Sequence, residues 1–71
     1  MVEIFKTNIC DEHLARTIVS ELNLMYSDYL INIDLEDGDK VLRVESRGEI
    51  DVSGVIAFGN EKEVQIELID D

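Results

Sequence analysis

Proline is absent from this 71-residue chain, so no residue obliges a helix or strand to break. The one cysteine, Cys10, leaves no internal disulfide, and an apolar core must hold the fold together. Tryptophan is also absent and aromatics make up 6% of residues, which removes the stacking platforms that single-stranded nucleic acids use. Cations are scarce: 6 Lys plus Arg stand against 17 Asp plus Glu, a net charge of −11. Such a surface repels phosphate backbones and anionic lipid headgroups, and its simplest consequence is solubility. No apolar run approaches the roughly 20 residues needed to span a bilayer. The opening MVEIFK lacks the apolar core of a signal peptide, and with a lone cysteine this sets an expectation of a reducing, cytoplasmic location. No phosphate-binding loop, serine elbow or carboxylate dyad is singled out by spacing.

Apolar residues at 45% are enough for a globular protein, and the length suits a single domain over residues 1–71 with one thin core. The most legible stretch is Tyr29 to Ser46, where two β-branched-rich runs flank Asp37-Gly38. That dipeptide suits a two-residue hairpin turn, and the register it sets places Ile33 opposite Leu42 and Ile31 opposite Val44 on one buried face. The other face then pairs Asn32 with Arg43, Leu30 with Glu45 and Asp34 with Val41.

Before the hairpin, Val2 to Thr7 reads as a first strand with Val2 and Ile4 towards the core and Phe5 on the opposite face, covering open sheet or meeting a partner. Asn8 or Asp11 is placed to cap a helix running to Leu22 or Leu24. Its expected core stripe is Leu14, Ile18, Leu22 and Met25 with Ala15 beside them, while Arg16, Thr17, Ser20 and Glu21 point away. After a turn at Arg47-Gly48-Glu49, Asp51 is a plausible cap for a second helix through Val52, Val55, Ile56 and Phe58, closed by Gly59-Asn60 as a left-handed terminus. A strand over Val55 to Phe58, paired with Val64 to Glu67, competes with it, since Gly54 weakens a helix. Glu63 to Ile69 alternates as a closing strand, and Asp70-Asp71 reads as a solvated tail.

Strand, helix, strand, strand, helix, strand is the α+β, ferredoxin-like βαββαβ plan, with two helices on one face of a four-stranded antiparallel sheet. The plan puts the first and third strands in the centre and makes edges of Leu30 to Asp34 and Val64 to Leu68. An edge can form a dimer or capture a peptide, although Asp34 and Glu67 are charges of the kind that discourage pairing. RNA-binding domains share this plan, but an open face expected to show Glu3, Asp34, Glu45 and Glu67 with Phe5 alone excludes them on charge and on aromatics.

The loop before the first helix carries Cys10-Asp11-Glu12-His13, a C-x-x-H spacing. In this order of elements the stretch resembles the heavy-metal-associated domains of copper chaperones and metal-transporting ATPases, which carry C-x-x-C in that loop. Here His13 stands at the second cysteine, and Asn8-Ile9 replaces the usual Met-Thr. The resemblance implies a soft-metal site at Cys10 and His13, for Cu(I) or part of a Zn(II) site. The competing reading makes Cys10 a small half-buried hydrophobe and His13 a surface residue of the first turn. The sequence therefore points to a small non-enzymatic, cytoplasmic domain acting by protein contact or self-association through a sheet edge, with a degenerate metal motif. Its alternative is a copper or zinc carrier using Cys10 and His13.

Overall fold

The computed structural model describes residues 1–36, 38 and 40–69. The elements are β1 (Val2–Thr7), α1 (Glu12–Met25), β2 (Leu30–Asp34), β3 (Val41–Glu45), α2 (Val52–Glu61) and β4 (Ile66–Leu68). The strands form one antiparallel sheet in the order β2-β3-β1-β4, with both helices on one face, which is the ferredoxin-like plan. α2 is a helix and not a strand because Asp51 supplies the N-terminal cap, its carboxylate accepting from the Gly54 amide.

β2 and β3 pair in the register that the hairpin pattern dictates: Ile31 faces Val44, Ile33 faces Leu42 and Asn32 faces Arg43. Leu42 and Val44 are fully buried and Ile31 nearly so, whereas Ile33, beside the open edge, is half-buried. The two-residue turn expected at Asp37-Gly38 falls partly on Asp37, outside the described residues.

β1 faces the opposite way from the expectation. Phe5 and Thr7 are buried, Val2 is 48% exposed and Ile4 is half-buried on the open face. Both alternations of β1 contain apolar residues, so the strand by itself does not decide its facing. Its neighbours do. Phe5 pairs with Leu42 and Glu3 with Val44, so odd-numbered positions share the core face of β3, and Phe5 carries the largest apolar surface to bury there. Glu3 accordingly lies on the helix side, and the open face shows Val2, Ile4, Lys6, Leu30, Asn32, Asp34, Arg43, Glu45 and Glu67.

α1 begins at Asp11, whose carboxylate accepts from the His13 amide, and buries Ala15, Ile18 and Leu22 with Val19 and Tyr26 packed alongside. Leu14 and Met25, expected in the core, are exposed. At 3.6 residues per turn Leu14 stands about 100° round the axis from Ala15, which carries it off the buried line, and Met25 falls on the same flank. Glu21, expected to point to solvent, instead pairs with Lys62 at the end of α2 and is half-buried. Asn8, the other cap candidate, accepts from the Gln65 amide and ties the end of β1 to the approach to β4.

α2 runs through Gly59-Asn60 rather than ending there. The left-handed residue is Glu63, φ 59°, and the amides of Glu63 and Val64 donate to the carbonyls of Asn60 and Gly59 in a Schellman closure. Gly59 serves another purpose: a Cβ there would lie 2.7 Å from Ile66 Cδ1 and 2.9 Å from the Val64 carbonyl, so its bareness lets α2 approach β4. β4 is shorter than its alternating pattern, and Val64 is buried just ahead of it.

Candidate functional site

The loop carrying the C-x-x-H is held from both sides. Thr7 Oγ1 donates to the Lys40 carbonyl at 2.6 Å and accepts from the Ile9 amide, and Ile9 itself is buried to 1% exposure. With Ile9 plugged inward, Cys10 is turned to solvent, and its thiol is free. His13 is exposed in the first turn of α1. The expectation of a half-buried Cys10 therefore gives way to an exposed one. Among the described residues no group of three or more His, Cys, Asp or Glu side chains converges on a point. A closed zinc site needs four such donors, of which Cys10 and His13 would supply two; a two-coordinate Cu(I) ion needs only a thiolate and an imidazole.

A second feature lies on the far side of α1. β2 hydrogen-bonds to β3 alone, so among the described residues its outer backbone row is unpaired. Between that edge and α1 runs an open groove of about 420 Å³. Its helical wall is Glu12, Ala15, Arg16, Val19, Ser20 and Asn23, residues three and four apart that line one face of α1. Its strand wall is Ile31, Asn32 and Ile33, continued by Leu35. Ile31 and Ala15 form a buried floor, while Val19, Ile33 and Leu35 are half-buried, so apolar surface remains accessible. One end is closed by Asn23, which donates to the Tyr29 carbonyl at 3.0 Å; at the other, Arg16 and Glu12 form an exposed ion pair at 2.7 Å. Glu12 holds the Arg16 guanidinium, raising its pKa above the ordinary value through the hydrogen bond and then through charge.

Sequence reasoning located this edge but not the groove. Nothing in the alternation of β2 says how far α1 stands from it, and Val19 lies outside the expected stripe of Leu14, Ile18, Leu22 and Met25. A cluster that it missed entirely joins α1, β2 and α2. Tyr26 and Tyr29 stack with ring centroids 4.6 Å apart, the Tyr26 hydroxyl donates to Asp51 Oδ2 at 2.8 Å, and the Tyr29 hydroxyl accepts from the Asp51 amide. Burial, then the hydrogen bond to Asp51 and its charge, push the Tyr26 pKa up to about 12. The spacing of two tyrosines across Ser27-Asp28, beside a lone capping aspartate far along the chain, is the only sequence signal for it.

No family model matches the chain, and neither a curated protein nor a solved structure matches it. The βαββαβ fold is consistent with that of heavy-metal-associated domains, but the C-x-x-C is missing and Cys10 is the only cysteine. Among the described residues no helix is long and apolar enough to cross a membrane.

Proposed function

We propose that the chain is a small non-enzymatic domain, cytoplasmic in setting, that acts by contact with another protein through the β2 edge of its sheet. The observation that supports this reading is the juxtaposition of an unpaired edge with accessible apolar surface on Val19, Ile33 and Leu35, where main-chain hydrogen bonds and side-chain burial are offered together. Selection from an unbiased peptide display library tests it, with each binder mapped on the chain by amide chemical shifts. Binders whose footprint covers Leu30–Asp34 and the facing side of α1 support the reading; binders that map elsewhere, or a library that yields none, contradict it.

Metal carriage is the second reading, and the exposure of both Cys10 and His13 is what favours it. Calorimetry with Cu(I) under reducing conditions, with a chelator competitor, decides between them. Contact through β2 predicts no tight one-to-one site; a one-to-one site abolished by Cys10→Ser would replace the contact reading with metal carriage. Weak uptake unaffected by that substitution would mark carboxylates collecting cations.

A further inference from the structure

We infer that the groove between α1 and β2 takes an extended peptide as a fifth strand, one with apolar side chains at alternate positions and lysines or arginines at both ends. The inference rests on the contact reading above and names the class of partner. The two walls have matching lengths. Five residues of β2 span about 17 Å at about 3.4 Å per residue, and the twelve residues of α1 from Glu12 to Asn23 span about 18 Å at 1.5 Å per residue. An extended segment laid on the edge alternates its side chains, so every second one enters the groove onto Ile31, Ile33, Leu35 and Val19 while the others face solvent. Apolar residues at alternate positions are what that geometry rewards.

Charge defines the ends. Asp28 is exposed before β2, and Asp34 and Glu36 are exposed after it. Two cations stand beside the groove, Arg16, which is paired with Glu12, and Lys40, whose ammonium donates to the Leu35 carbonyl at 3.2 Å, and the net charge of the chain outweighs both. These carboxylates flank the strand wall of the groove, before and after β2, in a chain of net charge −11, which attracts a cationic segment and repels an acidic one. The same charges oppose a second copy as the occupant: β2 paired with itself would bring the Asp34 and Glu36 carboxylates of two strongly acidic chains to one seam.

The probe is a capped peptide of alternating valine and threonine with two lysines at each end, titrated into the full chain at low salt and followed by amide chemical shifts. Shifts centred on Leu30–Asp34 and on Ser20 are expected, and a peptide with glutamates in place of lysines should bind at least about tenfold more weakly. Two further peptides, N-methylated at odd or at even positions, separate strand pairing from groove filling: one should lose about tenfold or more and the other should bind like the parent, because only alternate amides face β2. Ser20→Arg, at an exposed helix position on the groove wall, should weaken the lysine peptide by a similar factor without unfolding the chain. Equal binding of both N-methylated peptides, equal binding of the glutamate peptide, or shifts centred elsewhere would each overturn the inference. So would a dimer that protects β2 before peptide is added. Failure of every peptide here, with display binders still mapping to β2, would overturn the partner class and leave the contact reading standing.

Discussion

Asp51 holds two tasks at once: one carboxylate oxygen caps α2 through the Gly54 amide, and the other accepts the Tyr26 hydroxyl. The second bond fastens the end of α1 to the start of α2 and keeps Tyr26 neutral to a higher pH than a free phenol. Tyr26→Phe should therefore cost about 0.5–1.5 kcal/mol at neutral pH, measured by denaturant unfolding. The pH dependence follows from the direction of the shift. The folded state retains the Tyr26 proton up to about 12, whereas the unfolded chain releases it near 10, so the stability it contributes is complete below pH 10 and is lost as pH rises from there. The gap between the native protein and Tyr26→Phe should narrow over that range; a gap that stays constant would remove Tyr26 from the cluster. Gly54 is constrained by the same contacts. A helix-interior Gly→Ala change ordinarily stabilises by about 0.5–1 kcal/mol, yet a Cβ at Gly54 would collide with the Asp51 carboxylate and the Tyr26 hydroxyl. Gly54→Ala should lower stability by about 1 kcal/mol instead, the lost charge-assisted bond outweighing the helix preference.

Among the elements, the β2–β3 pair was the most legible in sequence because two strands checked one another: a one-residue slip would take Ile31 off the face it shares with Leu42 and Val44. β1 had no such check, and its facing came from pairing with β3, which no local pattern of six residues contains. Phe5→Ala should cost about 3–5 kcal/mol in unfolding experiments, and Val2→Thr less than about 0.5 kcal/mol; the reverse order would mean that the strand faces the other way. α2 was legible as a capped helix but not in its ending, because Gly59 is occupied with the approach of Ile66 and the left-handed position fell to Glu63. Glu63→Gly should relieve that backbone and stabilise the domain by about 0.5–1 kcal/mol, read as a higher unfolding midpoint. Of the candidate sites, the edge strand and the Cys10–His13 spacing could be read from sequence, while the groove could not, since it exists only once α1 has docked with Val19 and Ser20 towards β2.

At the scale of the whole molecule, a charge of −11 sits on a fold that, among the described residues, leaves one face of its sheet uncovered and its β2 edge unpaired. Self-association is the ordinary hazard of such an edge, and the exposed carboxylates of Asp34 and Glu36 are charges of the kind that discourage it; in the proposed reading they also favour a cationic partner. Amide hydrogen exchange along β2 tests this most directly, measured in the free chain at low and high concentration and again with the lysine-flanked peptide. The account predicts that alternate amides of Leu30–Asp34 exchange as open groups in the free chain at both concentrations, while β1 and β3 stay protected, and that the peptide protects those same amides. Full protection of β2 in the free chain, or open β2 amides that the saturating peptide leaves unchanged, would contradict it.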